Sequence, residues 1–175
     1  MATAFAKFGA LENLKTLLAS YEAKSIFLVT GRSSYEACGA KAVVDKALLG
    51  RRVTRFSDFD INPKIEDGIK GAKLAHEVEA DLILAVGGGS PMDIAKLVKA
   101  FLPNIDGAQD IVFGNAEVLA SDIPLIAVPT TAGSGSEATH FAVVYIGKDK
   151  YSLASPHLLP DKYILDGSIL KSASP

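Results

Sequence analysis

Apolar and polar positions along the chain form short strand-like runs separated by longer stretches with helical spacing. Residues 25–30, 82–86 and 123–128 are apolar runs, and 52–56 is a shorter strand candidate. Apolar residues spaced three or four apart predict helices over 34–49, 65–79 and 91–101. Strands that alternate with helices predict an α/β fold, with a mostly parallel sheet between two helical layers.

The last third of the chain has a different pattern. Residues 139–146 and 151–154 flank the turn-like sequence Gly147-Lys148-Asp149-Lys150, which predicts a β-hairpin near the C-terminal end. Residues 163–165 are a last short strand candidate. The hairpin therefore interrupts the βαβ pattern.

Two segments have no clear period. Residues 104–121 are predicted to be a flexible connection. Residues 166–175 have the composition of a linker, so we expect residues 1–175 to be one domain of a longer protein.

Composition and charge exclude several classes of protein. The net charge of −2 provides no basic field for nucleic acid or an acidic membrane surface. No apolar run approaches the roughly 20 residues that span a bilayer. Cys38, the only cysteine, is predicted to lie in a helix and to pack in the core, and it is compatible with a reducing compartment. We therefore expect a soluble cytoplasmic protein with neither a nucleic-acid nor a membrane partner.

The first candidate site is the sequence GGGSPMDIAK at 87–96, which follows a predicted strand and opens a predicted helix. Gly88 and Gly89 allow backbone amides to approach a ligand, and a helix N-terminus favours an anion such as phosphate. Ser90 is expected to cap the helix, and Asp93 either completes the cap or contacts a ribose. Lys96 is either solvated or close to the phosphate. The alternative for the whole loop is a tight structural turn.

The second candidate site is PTTAGSGSEAT at 129–139, which also follows a strand. The hydroxyl groups of Thr130, Thr131 and Ser134 are suited to hydrogen bonds with a nucleotide, including its nicotinamide end. A formal G-x-G-x-x-A match here is weak, because it does not follow the first strand. A plain loop is the alternative.

The third candidate site is Gly31-Arg32-Ser33, directly after the first predicted strand. Dinucleotide folds often place an acid here to bind the ribose of NAD, whereas an arginine accommodates the 2′-phosphate of NADP. Arg32 has the bidentate cationic group that a phosphate requires. The alternative is a surface arginine beside a helix-capping serine.

The three histidines, His76, His140 and His157, are far apart and lack the spacing of a helical metal site. No metal ligand or catalytic residue is predicted within this chain. His140 alone follows a candidate loop, where a place near the nicotinamide is one interpretation.

Together, these motifs resemble the iron-containing (group III) alcohol dehydrogenase family. GGGSPMDIAK and PTTAGSGSEAT match two of its signature stretches, and LVTGRSS, FSDFDINPKIEDG and LLPDKYILD are also similar to that family. The resemblance implies a Rossmann-like domain that binds NAD or NADP. It also implies an all-helical domain, expected after Pro175, that holds Fe²⁺ or Zn²⁺ through one Asp and three His. This chain contains none of those ligands, so we expect no activity from it alone.

The resemblance also assigns individual residues. It implies pyrophosphate binding at Gly89 and Ser90, and it adds Asn62 and Lys150 as residues on the cofactor side. Many NAD-preferring members carry an Asp where this chain has Gly31, so NADP or dual use is favoured. The predicted cofactor-binding residues are Gly31, Arg32, Ser33, Asn62, Gly88, Gly89, Ser90, Asp93, Thr130, Thr131, Ser134 and Lys150.

Several alternatives stay open at this stage. Glycerol dehydrogenase and dehydroquinate synthase share this architecture, and a stand-alone dinucleotide-binding module is also compatible with the length. The substrate class, a small alcohol or aldehyde, is implied by the family alone. An apolar face left without its second domain favours self-association, so we expect a homo-oligomer.

Overall fold

A parallel sheet forms the centre of the fold in the computed structural model, which describes residues 3–169. The strands are β1 Thr3–Ala6, β2 Ser25–Thr30, β3 Arg52–Phe56, β4 Leu82–Gly87, β5 Leu125–Pro129, β6 Phe141–Ile146, β7 Asp149–Ala154 and β8 Lys162–Leu165. Six of them pair in parallel in the order β1-β8-β5-β4-β2-β3. The chain moves outward from β2 to β3 and then in the other direction through β4, so a topological switch point lies between β2 and β4. Ligands of open α/β sheets bind at such points.

Helices cover both faces of this sheet, which confirms the predicted α/β class. They are α1 Leu14–Ser20, α2 Ser33–Ala37, α3 Lys41–Leu48, α4 Ile65–Glu77, α5 Gly89–Phe101 and α6 Ala108–Phe113. Alternate strand residues enter two separate cores: Phe27 and Ile83 pack with α4 and α5, whereas Leu28 and Leu84 pack with α1 and α3. None of the helices in the described part is long and apolar enough to cross a membrane.

The predicted hairpin is also present. Strands β6 and β7 pair antiparallel from Phe141↔Ala154 to Ile146↔Asp149, apart from the main sheet. The β6 strand packs against α5, and Ala142 and Val144 enter the core shared with α4. Helix α5 is therefore packed against the sheet, α4 and the hairpin.

The predicted single helix over 34–49 is wrong. Two helices, α2 and α3, occupy this segment, and Cys38 lies between them in an extended conformation. Cys38 is partly exposed and its Sγ lies 3.2 Å from the Tyr35 carbonyl oxygen. The expectation that Cys38 lies within a helix is therefore wrong, whereas its partly buried side chain does pack against the core that contains α1 and α3. The following Gly39 disfavours a continuous helix.

Three further segments differ from the prediction. The connection 104–121 contains α6, which buries Ala108 and Ile111 against the core. Strand β1 was not predicted, because a four-residue strand has too short a pattern. The proposed linker begins as packed chain, since the Asp166 carboxylate accepts hydrogen bonds at 2.9 Å from the amides of both Gly9 and Leu11. Residues 170–175 lie outside the described residues.

Candidate functional site

A cleft of about 530 Å³ opens at the carboxyl ends of β2, β3, β4 and β5. All three candidate loops reach it, although about 40 residues or more separate their starting positions in the sequence. The predicted cofactor residues that line the cleft are Gly31, Arg32, Ser33, Gly88, Gly89, Ser90, Thr130 and Thr131. Phe59, Ile61 and Pro91 add apolar surface. A concave site with a few convergent polar groups at a switch point is typical of a nucleotide site.

The N-terminus of α5 provides the strongest feature for anion binding. The helix begins at Gly89, and no side chain of the described residues caps it. The predicted cap is wrong, because the Ser90 hydroxyl donates to the Ile61 carbonyl oxygen instead. The amides of Gly89 and Ser90 therefore remain available to an anion, with the positive end of the helix dipole behind them.

The loop after β5 lies directly against this N-terminus. A Cβ built at Gly88 would lie 3.1 Å from the Thr131 Oγ1, a tight contact, so the two loops come close together at this glycine. A Cβ at Gly89 would lie 3.7 Å from the Ser134 Cβ, which is an ordinary contact. Ser134 is thus beside the cleft, although it does not line it. Both candidate loops present hydroxyls or amides to one space.

Arg32 is paired within the structure. Its Nη2 forms an ion pair with Asp58, and its Nε donates to the Ser57 carbonyl oxygen at 3.1 Å. Asp58 also pairs with Lys70. The Arg32 and Asp58 side chains are 64% and 66% exposed, so the pair is weakly held and Arg32 can exchange Asp58 for another anion.

Arg55 was not predicted as a site residue, yet it holds the loop after β2. Its Nε donates to the Thr30 Oγ1 at 2.8 Å, and its Nη2 donates to the carbonyl oxygens of Gly31 at 3.0 Å and Arg32 at 2.9 Å. The Nη1 pairs with Glu36 at 2.7 Å. No sequence signal distinguishes Arg55 from other surface arginines, because its partners lie more than 18 residues away.

Asp93 and Lys96 lie behind the cleft. The interpretation of Lys96 as a solvated residue is wrong, because its side chain is fully buried and its Nζ donates to the carbonyl oxygens of Thr139 and Phe141. Burial lowers the pKa of Lys96 to about 8, despite the opposing effect of Asp93. Burial also raises the pKa of Asp93 to about 6, against Lys96 and hydrogen bonds from the Val143 amide and the Ser136 hydroxyl.

The remaining predicted residues lie around the cleft without lining it. Asn62 is exposed and follows Ile61, which does line the cleft. Lys150 is exposed on β7, close enough to Asp93 for its charge to lower that pKa. The His140 ring lies 4.1 Å from the Phe141 ring, centroid to centroid.

The divalent metal implied by the resemblance has no fitting site here. Within residues 3–169, no group of three or more His, Cys, Asp or Glu side chains is placed to hold a metal ion.

Known proteins resemble this chain over nearly its whole length. Residues 3–167 match the model of the iron-containing alcohol dehydrogenases. The chain is 32% identical to the long-chain primary alcohol dehydrogenase AdhA of Thermoanaerobacter ethanolicus, with 96% of this chain and 44% of that protein covered. It is also 32% identical to the NADPH-dependent butanol dehydrogenase of Clostridium saccharobutylicum, with 95% and 44% covered. The chain thus spans less than half the length of these relatives.

The fold has close counterparts among solved structures. The crystal structure of sulfoacetaldehyde reductase from Bifidobacterium kashiwanohense in complex with NAD⁺ superposes with a TM-score of 0.91 at 26% identity. The match covers 99% of this chain and 46% of that one. With the family model matching 165 consecutive residues, from 3 to 167, the chain belongs to the iron-containing alcohol dehydrogenase family.

Proposed function

We propose that residues 1–175 form the dinucleotide-binding domain of an alcohol dehydrogenase that interconverts alcohols and aldehydes or ketones with NAD(P)(H). The observation that carries this proposal is the uncapped N-terminus of α5, which opens into the cleft between the loops after β2 and β5. A pyrophosphate bears two negative charges, which suit the helix dipole and the free amides of Gly89 and Ser90.

The two halves of the cofactor would lie on opposite sides of α5. The adenosine half lies over β2 and β3, where Arg32 and Ser33 line the cleft, because that is where dinucleotide folds discriminate the ribose 2′-substituent. The nicotinamide half then extends over β5 towards Thr130 and Thr131. Ser134, Asn62 and Lys150 are proposed as further contacts from the surrounding segments.

In this proposal, the bound dinucleotide supplies the hydride acceptor or donor, and the chain itself binds and orients it. The hydroxyls of Thr130 and Thr131 direct the nicotinamide end, and the apolar side chains of Phe59 and Ile61 exclude water from the adenosine side. Because the described residues hold no metal-ligand group, we expect the 175-residue chain to bind cofactor without turnover.

We further propose that NADPH is bound at least as well as NADH. Gly31 supplies no carboxylate to repel a 2′-phosphate, and Arg32 can pair with one after releasing Asp58. The relatives are mixed in this respect, since one is named as NADPH-dependent and another was crystallised with NAD⁺.

Titration of the 175-residue chain with NADH and NADPH, followed by calorimetry and nicotinamide fluorescence, tests the proposal. Saturable binding of at least one cofactor with 1:1 stoichiometry is expected. Absence of binding of both at millimolar concentration would overturn it. Light scattering on the same samples tests the predicted homo-oligomer, which a mass of one chain at high concentration would contradict.

A further inference from the structure

A fully buried lysine connects α5 to the segment that follows the second glycine-rich loop. The Lys96 Nζ donates to the carbonyl oxygens of Thr139 at 2.7 Å and Phe141 at 2.6 Å, and to the Thr139 Oγ1 at 3.1 Å. An ammonium has three donors, and these three acceptors match them. The side chain has no exposed surface.

Asp93, nearly one helical turn earlier on α5, holds the same segment at two further points. Its carboxylate accepts hydrogen bonds from the Ser136 hydroxyl and the Val143 amide. Because residues three apart share a helix face, Asp93 and Lys96 act on residues 136–143 from one side. The short helical turn Ser136–Ala138 and the start of β6 are thereby fixed to α5.

This fixed segment lies between two sets of proposed cofactor contacts. Before it are Thr130, Thr131 and Ser134, and after it the hairpin brings Lys150 close to Asp93. Helix α5 also carries the proposed pyrophosphate site at its N-terminus, about two turns from Lys96. One rigid element therefore relates the position of the phosphates to that of the nicotinamide side of the cleft.

An apolar core residue would fill the same space without the cost of burying a charge. A buried ammonium loses several kcal/mol of hydration, and replacement of buried charges by apolar residues is often neutral or stabilising. Stability alone therefore does not account for a lysine here. What the lysine adds, and a methionine lacks, is a directional bond to three oxygens of the loop.

We propose that Lys96, together with Asp93, is a positioning residue that sets the geometry of residues 136–143 and hence the affinity for the nicotinamide half of the cofactor. It does not contact the cofactor itself. The proposal rests on the proposed dinucleotide function. It predicts that loss of Lys96 affects a whole dinucleotide more than it affects ADP, which contains only the adenosine half and the two phosphates.

The test compares the affinities of the full chain for NADPH and for ADP in the wild type and in Lys96→Met. We expect the Kd for NADPH to rise at least tenfold and the Kd for ADP to change less than twofold. Lys99→Met is a matched control, because Lys99 is a second buried lysine on α5 that pairs with Asp161 at 2.7 Å, away from the cleft. It should leave the NADPH-to-ADP ratio unchanged.

Thr139→Val provides a second variant in case Lys96→Met does not fold, since it removes only the hydroxyl acceptor. An increase of about threefold in the NADPH Kd, without a change for ADP, would support the proposal. An equal rise in the Kd for NADPH and for ADP, or unchanged affinity in both variants, would overturn the proposal. If the wild type binds neither ligand, the proposed function itself fails instead.

Discussion

The backbone amide of Thr130 donates a hydrogen bond to the carbonyl oxygen of Gly87 at 2.9 Å. Gly87 ends β4 and Thr130 directly follows β5, and the last paired positions of these neighbouring parallel strands are Gly87 and Pro129. The bond continues the ladder by one residue beyond the sheet, so both glycine-rich loops begin side by side. This register explains why two motifs about 40 residues apart form a single cleft.

Gly89→Val should weaken cofactor binding with little effect on folding. The added side chain would occupy the space in front of the first amides of α5, where the pyrophosphate is proposed to lie, and the backbone has room for a Cβ. We expect a loss of at least tenfold in affinity for NADPH, about 1.4 kcal/mol, measured by calorimetry.

The control for Gly89→Val is Gly39→Ala. A Cβ at Gly39 would meet the Ile169 Cα at 3.6 Å, an ordinary contact, and Gly39 lies outside the cleft lining. Its affinity should equal that of the wild type. Unchanged NADPH affinity in Gly89→Val would exclude the proposed pyrophosphate position.

Gly71→Ala should destabilise the fold through the contact between α4 and α5. A Cβ at this position would lie 2.6 Å from the Val98 Cγ2 and 3.0 Å from the Phe56 Cε1, both on buried side chains. Overpacking of this kind costs about 1–3 kcal/mol, which exceeds the helix-propensity gain of about 1 kcal/mol.

Urea unfolding of Gly71→Ala and Gly89→Ala would measure this cost. Both positions are helical glycines, but only Gly71 lacks room for a methyl group, so Gly89→Ala should be neutral or stabilising. Equal stability of the two variants would show that α4 and α5 can separate without penalty.

Asp93 should make the fold less stable as the pH rises from about 4 to about 6. Its folded pKa of about 6 lies above the ordinary value of 3.8 for an aspartate, so the folded state binds the extra proton in this window. The free energy of unfolding should fall by roughly 2–3 kcal/mol across it, because each pKa unit corresponds to about 1.4 kcal/mol.

Asp93→Asn should remove that slope, measured by urea unfolding at pH 4, 5 and 6. Asp58→Asn is the contrasting variant, since its ion pairs with Lys70 and Arg32 lower the pKa of Asp58. The Asp58 contribution has the opposite sign, is lost as the pH falls, and should be small at an exposed site. An unchanged slope in Asp93→Asn would show that the loss of stability between pH 4 and 6 does not come from Asp93.

Arg32→Ala should weaken the binding of NADPH more than the binding of NADH. A charge-assisted bond to an exposed phosphate is screened by solvent, so we expect about a five- to tenfold loss for NADPH, and less than twofold for NADH. Gly31→Asp should shift the preference further towards NADH. Its Cβ would lie 2.1 Å from the Ser34 Oγ, which rotation of the Ser34 side chain relieves, and 3.5 Å from the Ser34 Cβ, an ordinary contact.

Arg52→Ala serves as the control for these cofactor variants. Arg52 lies at the opposite end of β3, where its Nε donates to the Ser25 Oγ at 3.1 Å. Neither affinity should change in this variant. Equal losses for NADH and NADPH in Arg32→Ala would show that Arg32 does not recognise the 2′-phosphate.

Local patterns were sufficient for the architecture. Residues 25–30 and 82–86 are mostly β-branched or large apolar residues, and the turn at 147–150 favours a hairpin, so the sequence alone predicts these elements. The break near Cys38 and the helix Ala108–Phe113 could not, because short helices depend on tertiary packing more than on their own sequence.

The side chains of α5 also show that local sequence predicts an element better than it predicts the contacts of each residue in it. Ser90 has the residue type and position of a helix cap, but its hydroxyl donates to the carbonyl oxygen of Ile61, 29 residues away. Lys96 has the residue type of a solvated helix face, but every residue of α5 from Pro91 to Phe101 is buried. The sheet, α4 and the hairpin all pack on this helix, leaving it without a solvent face.

The sequence by itself determined the fold class, the two glycine-rich loops and the family, because each depends on neighbouring residues or on motifs of about ten residues. Only the tertiary structure decided which side chains line the cleft and which fix its loops in place through contacts outside it. The partners of Lys96, Arg55 and Ser90 lie 19 to 45 residues away, and their contacts exist only once the strands have paired.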